Sequence, residues 1–381
     1  MKESNVNKIS IAAACIRGLS FDGEKGKIIS YFPEAYIGKG DILQLPVLPD
    51  EEDKIIDQIK AAWSGQKIIT LADGGSFIIA DSYDEAQSVF AGSLSAVQSE
   101  KKSEGFVPAV ADKVALVTGG AQGFGEGMVR QLSAAGAYVF IADMNIDGAE
   151  ALAVKLNKEQ GSTRAFALKV NVTDEESVES MMDQVALTTG GVDIFISNAG
   201  VLKAGSVKEM ALKDFQFVTD VDYTGFFICT KFASRLMAVQ NAPSGMYFSD
   251  IIGISSKSGL EGSNKNGAYA GAKFGSLGLT QSFALELVTD NIKVNSICPG
   301  NFLDGPLWSD PDRGLFVQYL NTGKVPGAKT LADVRKFYED KVPMKRGCET
   351  KDVVKAIYYI VDQKYETGQA IPVTGGQVML N

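Results

Sequence analysis

The chain is 381 residues long, 45% hydrophobic, carries a formal net charge of -9 and contains no histidine. That length is ample for a buried core with a second, smaller unit, and the acidic balance excludes a broad surface for nucleic acid or anionic membrane. Without histidine there is no Ser-His-Asp triad, no histidine-ligated metal and no imidazole base, so no metal is expected and proton transfer falls to other groups.

In chain order, the apolar stretch Ile9 to Ile16 is too short to span a bilayer, is followed by Arg17 and reads as a buried strand. Asp50 is placed to cap a helix whose apolar positions Ile55, Ile56, Ile59, Ala62 and Trp63 share one face. Lys67 to Leu71 and Phe77 to Ala80 flank Asp73-Gly-Gly75 as a hairpin, and a second helix over Tyr83 to Leu94 closes a small α+β domain assigned to residues 1–95. The polar run Ser99 to Gly105, followed by Pro108, marks a linker over 96–112. From 113 to 381, β-branched runs alternate with amphipathic helices. Val114 to Thr118, Tyr138 to Ala142, Ala165 to Val170, Asp193 to Ser197, Ile251 to Ser255, Lys293 to Ile297 and Ala370 to Val373 read as strands. This alternation predicts an α/β fold, a Rossmann-like doubly wound parallel sheet with ligands at the carboxyl ends of its strands. Asn301 to Asp340, with Gly, Pro and aromatic residues and only partial helical pattern, reads as a substrate lid. Cys15, Cys229, Cys298 and Cys348 fit no zinc spacing or dense disulfide framework, which predicts packing roles and a reducing, cytoplasmic setting.

Gly119, Gly123 and Gly125 follow the first of these strands and open a helix. Absent Cβ atoms there permit a tight turn and close approach of a pyrophosphate to the helix N-terminus. Asp143 ends the next strand, 18 residues after Gly125, where a carboxylate accepts ribose hydroxyls and repels a 2′-phosphate. No Arg or Lys lies in the glycine loop or directly after Asp143, so NAD is expected rather than NADP. Tyr269 and Lys273 stand at i and i+4, on one helix face, where an ammonium favours the phenolate of a group whose free pKa is about 10. Ser256, on the preceding strand, is placed to hydrogen-bond a reacting oxygen. Ser255 is its rival, and strand alternation points it to the other side.

Thr118 to Gly125, Asn198-Ala-Gly200, Ser256, Tyr269, Lys273 and Pro299-Gly300 together resemble the short-chain dehydrogenase/reductase superfamily, from about Lys113 onward. Ser256-Lys-Ser-Gly259, Ala272-Lys-Phe-Gly275, Gly278 to Ser282, Lys341 to Cys348 and Val373 to Met379 resemble its sorbitol-6-phosphate 2-dehydrogenase branch. The resemblance implies cofactor contacts at Gly119, Gln122, Gly123, Phe124, Gly125, Asp143, Asn171, Val172, Asn198, Ala199, Gly200, Tyr269, Lys273, Pro299 and Gly300. For Asn171, Val172 and Asn198 to Gly200 a plain strand-end turn role is the alternative. It also implies a Ser256, Tyr269, Lys273 catalytic set, with Asp222 where the family's proton-relay Asn stands, in a locally distorted helix. A buried Asp there is expected to titrate abnormally.

The leading expectation is an NAD-dependent enzyme interconverting a polyol, phosphorylated by the same resemblance, and a ketose. It would act on a small molecule, without nucleic acid or membrane partners, as a homo-oligomer. The competing class is a dinucleotide-binding sensor or scaffold, which turnover on a polyol panel separates from the enzyme. Lys257, Lys265, Lys345 and Arg346 are candidate anion contacts, with solvated cations as the alternative. Lys67 to Gln87 resembles the closing segment of an aldolase module fused to some bacterial dehydrogenases, yet such an aldolase needs histidine zinc ligands. The first domain is therefore expected to pack or join subunits rather than catalyse.

Overall fold

The computed structural model describes residues 3–92 and 108–379, with side chains from residue 7 onward. The N-terminal part runs α1 (Glu3–Leu19), β1 (Ile28–Phe32), β2 (Ile42–Leu45), α2 (Glu52–Ala62), β3 (Ile68–Leu71), β4 (Ser76–Ala80) and α3 (Tyr83–Phe90). Its sheet has the order β1-β4-β3-β2, with β2 and β3 parallel and the other pairs antiparallel. The hairpin at Asp73-Gly-Gly75 forms, with both glycines at positive φ, a region closed to most side chains.

Three local readings change. The stretch Ile9 to Ile16 is part of helix α1, not a strand. Its central Ala12, Ala13 and Ala14 are strong helix formers, and the run is apolar all round because α1 packs against α2 as well as against the second domain. Asp50 does not cap α2: Glu51 holds the N-cap position without a side-chain bond, and Asp50 pairs with Lys8. Helix α3 stops at Phe90, before the positive-φ Gly92; Ser93 and Leu94, expected at its end, lie outside the described residues, as does most of the expected linker.

The second part runs β5 (Val114–Thr118), α4 (Gly123–Ala134), β6 (Tyr138–Asp143), α5 (Ile146–Gln160), β7 (Ala165–Lys169), α6 (Glu175–Thr189), β8 (Ile194–Ser197), α7 (Leu212–Thr219), α8 (Gly225–Asn241), β9 (Ser249–Ile254), α9 (Gly267–Leu287) and β10 (Ile292–Pro299). It closes with α10 (Pro306–Ser309), α11 (Leu315–Asn321), α12 (Leu331–Asp340), α13 (Thr350–Asp362) and β11 (Ala370–Val373). The seven strands form one parallel sheet in the order β11-β10-β9-β8-β5-β6-β7, the expected doubly wound architecture. The order in which strands are added reverses between β5 and β8, which opens a crevice at their carboxyl ends.

Each sheet face has its own core. Val117, Val129, Ile141, Leu152 and Ile357 fill the side covered by α4, α5 and α13. The other side joins Val185, Phe195, Phe232 and Ile251 to Ile16, Ile29 and Ile55 of the N-terminal unit in one continuous apolar cluster. At that junction Arg17 is fully buried. It donates to the carbonyls of Lys27 and Thr189 and pairs with Asp193 at 2.8 Å. Gly191 makes room there, since a Cβ on it would sit 1.9 Å from Gln240 Oε1. Among the described residues no helix is long and apolar enough to cross a membrane.

Candidate active site

The glycine loop lies at the crevice. Gly119 and Gly123 have φ of +63° and +60°, and a Cβ on Gly125 would fall 1.9 Å from the Gly119 carbonyl oxygen, so this turn requires glycine at all three positions. Gln122 occupies the N-cap of α4 without a side-chain bond, leaving the first amides of the helix uncapped. Asp143 ends β6 and folds back on the loop: it accepts from the Ala121 amide at 3.0 Å and the Asn145 amide at 2.9 Å. Asn198 donates to the Thr118 and Gly119 carbonyls, and Thr118 Oγ1 accepts from the Asn198 and Ala199 amides. These bonds clamp β8 to the loop across the switch point. Gly200 lies beside Asp222 and Lys273, where its Cβ would sit 3.4 Å from each side chain. Asn171 accepts from Thr173, a turn role, while Val172 packs against Gly225. Pro299 ends β10, and the Gly300 amide donates to Val373. Phe124 stacks on Phe302 with centroids 4.4 Å apart. An uncapped helix start behind a glycine turn, with a carboxylate at the next strand end, fits a dinucleotide.

One turn apart on α9, Tyr269 and Lys273 project together, with the Lys273 ammonium 5.5 Å from the Tyr269 ring centroid. Lys273 Nζ donates to the Ile254 carbonyl at 3.1 Å and lies 3.3 Å from Asp222 Oδ2. The Val201 amide donates to Asp222 Oδ1 at 2.7 Å. Asp222 sits in a π-helical turn, Asp220 to Thr224, between α7 and α8, the distortion expected at this segment. Ser256 lies beside Tyr269, its hydroxyl accepting from the Ser258 amide at 3.1 Å, whereas Ser255 is buried and donates to the Lys273 carbonyl, so alternation separates the two serines as expected.

The electrostatics depart from the simple reading. Burial pushes the Tyr269 phenol above its ordinary value; Lys273 and the nearby Ser256 hydroxyl pull it down, and Asp222 pushes it further up. Burial opposes charge on Lys273, but Asp222 and Tyr269 outweigh it and hold the ammonium firmly protonated. Burial also raises the Asp222 carboxyl, against the pull of Lys273 and the Val201 amide. Cys298, which sequence reasoning left in the core, belongs to this neighbourhood: burial pushes its thiol up to about 11, beside Ser255 and Ser256.

The lid region holds three helices, α10 to α12, more regular than its sequence pattern suggests. Its own aromatic core joins Trp308, Phe316, Tyr319 and Tyr338. Short helices carry few periods, so the aromatic packing that fixes them is invisible to a pattern search. Tyr319 lies beside Asn266, the N-cap residue of α9, which brings the lid up to the helix that carries Tyr269. Of the candidate anion contacts, Lys345 donates to the Asp340 carbonyl and Arg346 pairs with Asp352; both are committed locally. Lys257 and Lys265 remain beside the site.

The short chain dehydrogenase family profile matches residues 113–309. The chain belongs to the short-chain dehydrogenase family. The sorbitol-6-phosphate 2-dehydrogenase of Escherichia coli (strain K12) is 38% identical over 70% of this chain and 99% of its own length. The meso-2,3-butanediol dehydrogenase of Serratia marcescens is 30% identical, covering 70% of this chain and 94% of that protein. A crystal structure of sorbitol-6-phosphate 2-dehydrogenase from Erwinia amylovora superposes with a TM-score of 0.64 at 40% identity, covering 70% of this chain and all of that one. This short-chain dehydrogenase is accordingly an oxidoreductase acting on a small molecule with a nicotinamide cofactor. Its N-terminal unit lies outside the part shared with those relatives.

Proposed function

We propose that this chain is an NAD-dependent dehydrogenase that interconverts a hexitol phosphate, such as sorbitol 6-phosphate, and the matching ketose phosphate in the cytoplasm. The observation that carries the chemistry is the convergence of Ser256, Tyr269 and Lys273 at the carboxyl ends of the sheet, beside the glycine loop. The substrate reading is supported by the likeness to sorbitol-6-phosphate 2-dehydrogenase over almost that protein's whole length.

Gly119, Gly123, Gly125 and the start of α4 would hold the pyrophosphate, and Asp143 the adenosine ribose. The nicotinamide, when bound, accepts or returns the hydride. Tyr269 carries the proton: its phenol gives a proton to the carbonyl oxygen in reduction, and its phenolate takes one from the carbinol in oxidation. Ser256 fixes the reacting oxygen against Tyr269. Lys273 supplies positive charge to the phenolate and is positioned by Asp222 and the Ile254 carbonyl. In a chain with no histidine, no imidazole competes for this role.

The decisive experiment is NADH production from sorbitol 6-phosphate, sorbitol and meso-2,3-butanediol under one set of conditions. The highest kcat/KM with sorbitol 6-phosphate is the expected result. A preference for either unphosphorylated alcohol rejects the substrate assignment and leaves a general secondary-alcohol dehydrogenase.

A further inference from the structure

Four lysines from four separate segments gather at the lid side of the site. Lys257 follows Ser256 directly, and Lys265 precedes the N-cap of α9, held at φ +58° with its carbonyl accepting from the Gly205 amide. Lys324 follows α11 and lies over the Tyr319 ring, 3.9 Å from its centroid. Lys341 caps the C-terminus of α12 and lies 4.2 Å from the Phe337 centroid. The Tyr319 that seats Lys324 packs against Tyr338, centroids 5.6 Å apart, whose ring Lys341 also approaches, and it lies beside Asn266, three residues before Tyr269, so the cluster stands at the same helix start as the proposed proton carrier.

Elsewhere lysines such as Lys203 and Lys231 sit on carboxylates, but among the described residues none of these four forms an ion pair. Glu261 is the one carboxylate that acts on Lys257, and it makes no direct bond to it. Burial, then the charges of Lys265, Lys341 and Lys257, push the Lys324 ammonium down to about 8. Burial and Lys341 lower Lys257 as well. Repulsion of this kind is relieved by a multiply charged anion with several acceptor oxygens.

We propose that Lys257, Lys265, Lys324 and Lys341 form the subsite for the substrate's terminal phosphate, with Lys324 supplied by the lid and Lys341 standing directly after it. The proposal rests on the hexitol-phosphate reading above and names the residues that would enforce it. A phosphate anchored there, at the far end of the carbon chain from the carbinol, orients the reacting carbon toward Ser256 and Tyr269 and draws the lid onto the substrate.

The test uses the full chain with NAD. The ratio of kcat/KM for sorbitol 6-phosphate over sorbitol is measured in the wild type, K324M, K341M and the control K345M, and binding of inorganic phosphate is titrated by calorimetry in the wild type and K324M. Losing a charge-assisted contact should lower the ratio at least about tenfold in K324M and in K341M. The ratio should hold in K345M, and phosphate binding should be lost in K324M. A wild-type preference for sorbitol 6-phosphate that survives in both K324M and K341M overturns the subsite and leaves the substrate reading intact. If the wild type shows no such preference, the substrate reading fails and the phosphate titration decides alone. Phosphate bound by the wild type but not by K324M keeps the subsite for another phosphomonoester; no binding, or equal binding in K324M, overturns it.

Discussion

Asp222 Oδ2 lies 3.3 Å from Lys273 Nζ, and both side chains are buried, so the lysine one turn beyond Tyr269 is held by a carboxylate. The resemblance to the family leads one to expect an Asn at this position. The negative charge acts on Tyr269 in the opposite sense to the ammonium. The carboxylate therefore favours the protonated phenol, the form that donates in carbonyl reduction.

D222N should move the pH profile in a defined direction. The groups acting on Tyr269 are Lys273, Asp222, Ser256 and Cys298, and Asp222 raises the phenol's pKa. Removing its charge lets Tyr269 lose its proton at lower pH. The ascending limb of kcat/KM for alcohol oxidation, and the descending limb for ketone reduction, should both shift toward lower pH while cofactor affinity holds. A shift to higher pH would contradict this assignment.

Arg17 and Asp193 should couple the N-terminal unit to the dehydrogenase. R17M should cost about 3 to 5 kcal/mol in urea unfolding at neutral pH, because it strands a buried carboxylate. Burial opposes ionisation of Asp193, but Arg17, Lys113, Tyr247 and the Val114 amide outweigh it and hold its pKa below the ordinary value. For a depressed carboxylate the stabilisation is present above the unfolded-state pKa, about 4, and is lost as pH falls through the folded value. The gap between wild type and R17M should therefore narrow below about pH 4. Deleting residues 1–105 should also destabilise the remaining domain, since it removes Arg17 and uncovers the side of the shared core that Ile29 covers. A truncated protein with wild-type unfolding would contradict this coupling.

The strand ends, the glycine loop and the Tyr269–Lys273 pair were legible because they depend on local pattern: short β-branched runs buried on both faces, a turn that only glycine can make, and an i, i+4 relation on one helix. Strand identity failed at Ile9 to Ile16, where an Ala-rich run buried on several sides has no alternation to read. The Arg17–Asp193 pair spans 176 residues of sequence, and the lysine cluster draws on four segments; neither leaves a local pattern.

Cofactor choice should follow Asp143. Its carboxylate is already turned toward the glycine loop by the Ala121 amide, where a 2′-phosphate would meet like charge. NADPH should bind at least about tenfold more weakly than NADH in fluorescence titrations, and D143S should narrow that difference. Tighter binding of NADPH by the wild type would reverse the assignment.

The most direct test of the whole account is Tyr269→Phe, assayed for NADH production from sorbitol 6-phosphate alongside NADH binding. Loss of the proton carrier should lower kcat by at least about a hundredfold, with the dissociation constant for NADH changing far less, because one hydroxyl contact is removed while the glycine loop is untouched. A Tyr269→Phe variant turning over at the wild-type rate would contradict it.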